Sequence, residues 1–221
     1  MRVRYNKTKQ ENKNAGDRVV GLFPTPIYFS EIKRDFTQSE LKFVEKNKHD
    51  PVKNDGNITS RDNYILNQKP FSRLKKELQS KVNSYFKEVV DPVDGITPYI
   101  TQSWLNYTQN NEYHHSHHHS NSLVSGVFYF DCDQKFDRIS FYKDSFGMER
   151  YFTFKKKNFN YFNSEDWWFP VKSKDLIMFP SYLTHKVEVK EGSNLRISLA
   201  FNVFIKGKIG NKFNLNELNF K

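Results

Sequence analysis

Between residues 98 and 204 the chain carries six short runs that read as strands, joined by polar turns with no helical pattern between them, and this succession constrains the fold more than any other feature. The runs are 99–107, 123–130, 138–142, 175–179, 185–189 and 195–204. They are rich in β-branched and aromatic residues, which fit a pleated, half-buried surface. Strands of this length in this order imply an antiparallel barrel or jelly roll. The expected fold class is mainly β with flanking helices, built on a double-stranded β-helix core of the jelly-roll or cupin-like kind.

The helices belong at the front. Thr37-Gln38-Ser39-Glu40 has the form of a capping box, so a helix is expected over about 37–48. Phe71, Leu74, Leu78, Val82, Tyr85 or Phe86, and Val89 fall at three- and four-residue steps, which predicts a second helix over about 72–90 with that face laid against a sheet. Ahead of both, residues 19–29 form an apolar run interrupted by Pro24 and Pro26. Proline has no ladder donor, so an edge strand is expected there. Residues 1–18 are polar and mixed in charge and read as an arm outside the core. The remainder, 19–221, is expected to be one domain. It includes a basic and aromatic insertion at about 143–170, with Lys155–Lys157, Trp167 and Trp168, long enough to serve as a lid.

Composition narrows the function classes. Cys132 is the single cysteine, so there is no intramolecular disulfide, and its neighbours Asp131 and Asp133 disfavour a thiolate. No run of about 18 apolar residues is present, which argues against a membrane span, and the N-terminus lacks an apolar signal core. A cytoplasmic setting is expected. The formal charge of +10 makes an acidic partner such as nucleic acid possible but not favoured, because the basic residues are scattered and no nucleic-acid motif is visible.

Five of the seven histidines lie between His114 and His119. In an extended segment residues i and i+2 share a side, so His115, His117 and His119 are expected on one face and His114 and His118 on the other. A His-x-His pair can grip one metal ion. His117 with His119 is the favoured pair, and His115 with His117 competes with it. A third ligand is available in His185, which follows Phe179-Pro180-Ser181 after an apolar strand. Eleven residues further on, Arg196 and Ser198 face the same way on an apolar strand, and an arginine there needs a carboxylate partner. Trp104 and Asn106 are expected on the substrate side. His49 reads as a surface residue.

These residues carry a resemblance. His117-His118-His119-Ser120-Asn121-Ser122, then Ser125-Gly126-Val127-Phe128-Tyr129, and later Phe179-Pro180-Ser181 with His185 and Arg196-Ile197-Ser198, are similar to motifs of a family of iron(II)/2-oxoglutarate-dependent oxygenases. These prolyl-hydroxylase-like jelly-roll proteins are found in marine bacteria and phages. Leu22-Phe23-Pro24-Thr25-Pro26 also matches the family's N-terminal segment. The chain departs from the pattern at Ser120, where the family has proline. It departs from the wider superfamily at His119, which stands where Asp or Glu completes a 2-His-1-carboxylate triad; Glu112, Asp131 or Asp133 could supply a carboxylate instead. The resemblance implies Fe(II) held by His117, His119 and His185, 2-oxoglutarate held by Arg196, Ser198 and Tyr129, and molecular oxygen as third reactant. It further implies hydroxylation of an unidentified substrate, a peptidyl side chain or small metabolite, with release of succinate and carbon dioxide. The alternative is a metal-binding jelly-roll or cupin module without 2-oxoglutarate chemistry, binding carbohydrate or nucleic acid.

Overall fold

A computed structural model describes residues 19–143 and 154–221. The arm expected over 1–18 and the first part of the insertion, 144–153, lie outside the described residues.

Among the described residues, twelve strands form two sheets whose strand pairings are all antiparallel. In chain order they are β1 (Tyr28–Glu31), β2 (Pro51–Lys53), β3 (Ile58–Ser60), β4 (Thr97–Thr108), β5 (His114–His117), β6 (Val124–Asp131), β7 (Arg138–Tyr142), β8 (Asp166–Pro170), β9 (Asp175–Pro180), β10 (His185–Val187), β11 (Arg196–Ile209) and β12 (Leu218–Phe220). The large sheet runs β1-β9-β6-β11-β4-β3-β2, with β12 paired to β11. The small sheet runs β5-β10-β7-β8. This is the expected jelly-roll core with its helices at the front.

Side-chain alternation gives the large sheet two different faces. On β6 and β9, Phe128, Phe130, Leu176 and Met178 join one cluster, whereas Val127, Tyr129, Ile177 and Phe179 join another with Ile139 and Phe141 of the small sheet. Both faces of these strands are buried, which explains why they read as continuous apolar runs. The first cluster is covered by the helices. Helix α1 (Gln38–Lys48) starts at the capping box, with Glu40 N–H donating to the Thr37 hydroxyl and Thr37 N–H to the Glu40 carboxylate. Helix α2 (Ser72–Tyr85) buries Leu74, Leu78, Val82 and Tyr85, each contributing about 1.5–3 kcal/mol of apolar transfer.

Several expectations are corrected. Val89 is 42% exposed, because at Phe86 the helix passes into a π-helical turn, Phe86–Val90, whose wider winding rotates the stripe off the sheet. Of the run 19–29 only Tyr28 and Phe29 enter an edge strand; Val19, Val20, Leu22 and Phe23 are exposed, and Pro24 and Pro26 delay pairing. The insertion ends in structure rather than loop, since 166–170 pair with β7. The short strands β2, β3, β5 and β12 carried too little pattern to be foreseen. Among the described residues no helix is long and apolar enough to cross a membrane.

Candidate active site

Between the two sheets lies a pocket, partly open to solvent, lined by Trp104, Asn106, His117, His119, His185, Arg196 and Ser198 among others. Alternation explains this lining. On β11, Leu199, Phe201 and Val203 face the helix side, so Arg196, Ser198 and Ala200 face the small sheet; on β4, Leu105 and Tyr107 pack outward and Trp104 and Asn106 inward. Gly126 is required where β6 crosses β11, because a Cβ there would meet the Phe201 ring at 2.2 Å.

His117, His119 and His185 each offer a ring nitrogen, and these atoms lie within 4.8 Å of one another. His185 is directly across from His117 on the β5–β10 ladder, and His119 is tied to the adjoining turn by its N–H to the Ser181 carbonyl, 2.9 Å. In every ring Nδ1 faces an oxygen that can only accept. His117 donates to the His115 carbonyl at 2.8 Å, His185 to the Leu183 carbonyl at 3.0 Å, and His119 to Asn202 Oδ1 at 2.5 Å. Each proton therefore sits on Nδ1, leaving the Nε2 lone pair free for a ligand bond. Burial pushes His117 down to about 4 and His185 to about 3, and lowers His119 as well, so the rings are neutral at physiological pH.

A second group shares His117. His114, His115 and His117 also bring ring nitrogens within 4.8 Å of one another. The expectation that His114 faces away from His117 is corrected: the register of β5 against β10 shifts between His117 and His114, and this bulge stacks the two rings at 4.5 Å between centroids. No carboxylate belongs to either group among the described residues. Glu112 instead accepts from the Gln109 N–H, Asp133 from the Lys135 N–H, and Asp131 is exposed at the end of β6.

Arg196 is 2% exposed, and its guanidinium lies 5.2 Å from the centre of the Tyr129 ring. Ser198 is registered against both Asn106 and Tyr129. Tyr129 is fully buried and is not among the cavity-lining residues; its ring packs beneath the arginine. Among the described residues, five buried side-chain polar atoms have no hydrogen-bond partner, and three of them cluster here: Arg196 Nε, Tyr129 Oη and Asn106 Oδ1. An unpaired buried donor costs about 1–3 kcal/mol, more when charged. The two donors beside Ser198 suit a carboxylate, and three Nε2 lone pairs suit a divalent transition metal. The residues present therefore fit both iron and 2-oxoglutarate.

Sequence reasoning missed the support behind His119. Asn202 Oδ1, which accepts from that ring, also accepts from the Ser125 hydroxyl at 3.2 Å, and Ser125 and Ser122 meet Ser181 at 2.8 and 2.7 Å. A polar residue buried in the apolar run of β11 was the available signal. Trp104 backs His119 with ring centroids 5.5 Å apart. His49 is exposed beside Glu45, and burial pushes the Cys132 thiol up, away from reactivity.

This fold and site define a jelly-roll protein equipped for a non-haem metal and a small dicarboxylate. Residues 102–202, the stretch that holds the three histidines and Arg196, match the profile of a family described as "Putative 2OG-Fe(II) oxygenase". That match likens the central stretch to 2-oxoglutarate- and iron(II)-dependent oxygenases, an enzyme class that uses Fe(II), 2-oxoglutarate and oxygen. Solved structures agree in fold. HygX from Streptomyces hygroscopicus, with nickel, 2-oxoglutarate and hygromycin B bound, is 13% identical with a TM-score of 0.54, covering 81% of this chain and 82% of its own. A prolyl hydroxylase from Trichoplax adhaerens, in complex with a hypoxia inducible factor peptide fragment, is 12% identical with a TM-score of 0.54, covering 80% and 83%. A Pseudomonas putida prolyl-4-hydroxylase is 8% identical with a TM-score of 0.53, covering 81% and 92%. No curated protein matches the chain in sequence.

Proposed function

We propose that the protein hydroxylates a peptidyl side chain or a small metabolite, with His117, His119 and His185 as the iron ligands and Arg196, Ser198 and Tyr129 at the carboxylate end of 2-oxoglutarate. The observation that carries this reading is Arg196. A guanidinium 2% exposed, with its Nε unpaired and no carboxylate partner among the described residues, is unfavourable by several kcal/mol until an anion arrives. It lines the same cavity as the three imidazoles, so one dicarboxylate can meet both.

Bound iron(II) with 2-oxoglutarate and oxygen supplies the oxidising step, in which 2-oxoglutarate gives succinate and carbon dioxide and one oxygen atom enters a substrate C–H bond. The chain's own residues do the rest. The Nδ1–H bonds keep each Nε2 aimed inward, so no ring has to turn over when metal binds. Arg196 and Ser198 fix one end of the co-substrate, which sets the position of the other. Val127, Ile139 and Phe179 make the remaining wall apolar and exclude water from the reacting centre. An all-histidine set leaves the metal one unit more positive than a 2-His-1-carboxylate set would. A peptide fragment in one fold neighbour and hygromycin B in another support both substrate sizes for this scaffold.

The test is succinate formation from 2-oxoglutarate by the iron(II)-loaded protein under air. Slow turnover without added substrate, lost in His185→Ala and weakened through 2-oxoglutarate affinity in Arg196→Ala, is expected. Tight iron binding with no 2-oxoglutarate binding under anaerobic conditions would overturn the assignment of Arg196.

A further inference from the structure

The geometry points to a second, outer site for a divalent transition metal, formed by His114, His115 and His117, which cannot be filled while His117 serves the inner set. The bulge in β5 creates it. A regular strand would send His114 to the opposite face, but the register shift brings its ring to 4.5 Å from His117 and 5.2 Å from His115, and the three rings offer nitrogens within 4.8 Å of one another. These residues border a groove that opens to solvent, so an ion can reach them without crossing the core.

A carboxylate beside this group comes from the turn between β2 and β3, and that turn is held against the histidines. The Tyr113 N–H donates to the Gly56 carbonyl at 3.0 Å, and the Tyr113 hydroxyl donates to Asp55 Oδ1 at 2.8 Å. Gly56 has φ +91°, and a Cβ there would lie 2.6 Å from the Tyr113 ring, so the close approach needs glycine. Asp55 Oδ2 is thereby placed 4.0 Å from Nδ1 of His115. Asn54, in the same turn, lies 3.1 Å from Nε2 of His114. An ion in this site either takes Nδ1 of His114 or replaces that contact. Three imidazoles, with the Asp55 carboxylate beside His115, offer nitrogen ligands of the kind zinc and cobalt(II) accept.

Exclusion follows from His117. Its Nδ1–H is held by the His115 carbonyl, so Nε2 is the lone pair both sets require. This half of the inference rests on the proposed inner ligands, whereas the existence of the outer site does not. The outer set receives an ion at the surface and passes it inward when His185 and His119 replace His114 and His115. An excess of zinc holding His117 in the outer set would leave the inner one incomplete.

Cobalt(II) is the probe, followed by calorimetry and by its visible absorption. Wild type is expected to take one equivalent. His185→Ala, which removes the inner set, is expected to keep one equivalent with a tetrahedral cobalt spectrum, and adding His115→Ala or Asp55→Asn should weaken that binding at least about tenfold. Both added changes lie at solvent-accessible positions, and circular dichroism reports whether each variant is folded. The outer site is overturned if His185→Ala binds no cobalt, or if neither added change weakens what it binds. Exclusion is overturned if wild type takes two equivalents. Turnover of 2-oxoglutarate by wild type is scored separately, so loss of the oxygenase reading would leave these binding results standing.

Discussion

The two faces of the large sheet are built from the same strands and obey opposite rules. On the helix side, Leu105, Phe128, Leu176, Leu199 and Phe201 are fully buried among α1 and α2, and almost every polar group has been removed. On the cavity side, Asn106, Ser125, Arg196, Ser198 and Asn202 are equally inaccessible, yet they are polar, and three of the protein's unpartnered polar atoms stand there. One face gains stability from area removed from water; the other gives stability up to keep donors and lone pairs ready for ligands. Substitutions on the two faces should therefore separate activity from stability.

The largest expected effect is on the cavity side. His185→Ala should abolish succinate formation, and retention of wild-type turnover would end the comparison as drawn. Next, Arg196→Met should raise the Kd for 2-oxoglutarate about a hundredfold while stabilising the ligand-free fold by about 1–4 kcal/mol in urea titrations. A loss of stability instead would mean that the guanidinium is already paired in the apo protein. Opposite in character, Leu78→Ala should cost about 2–5 kcal/mol of stability and leave 2-oxoglutarate affinity unchanged in the folded fraction. Asn202→Ala should lower metal affinity about 10- to 100-fold, by freeing the His119 ring to turn, without a comparable change in unfolding midpoint.

The smallest effect concerns pH and belongs to the helix side. Burial raises the Glu40 carboxyl, but hydrogen bonds from Arg34 and Thr37 outweigh it and hold the group below its ordinary value of 4.5. A folded-state value below the unfolded one means stability that is fully present above about 4.5 and lost as pH falls through the folded value. Glu40→Gln should thus lower stability by about 1–3 kcal/mol at pH 7 and flatten the acid limb of the unfolding midpoint against pH. An unchanged acid limb would place the titrating group elsewhere.

How much was legible varied with the length of the pattern. The capping box at Thr37 and Glu40, the stripe from Phe71 to Tyr85, and the strands around 99–107 and 138–142 were readable because each repeats a period over several residues. Val89 misled because one π-helical turn changes the period locally, and β5 misled because a bulge changes the side on which His114 falls. Neither event leaves a mark in composition. The order of His117, His119, His185 and Arg196 along the chain was likewise visible, but the meeting of the first two with the last two depends on pairs 66 to 79 residues apart.

By itself the sequence determined the alternation of polar and apolar residues, the positions of the helices, and the kinds of side chain available for metal and carboxylate. Those are local properties, written in residue type and period. Tertiary structure alone decided which nitrogen of His119 faces inward, because that depends on the Asn202 amide brought close from β11, whereas His117 and His185 are held by carbonyls two residues before them. It also decided that Arg196 is buried without an anionic partner among the described residues, and that a bulge gathers His114 and His115 beside His117. Contacts between distant segments are fixed by packing two sheets face to face, and no single segment carries that information.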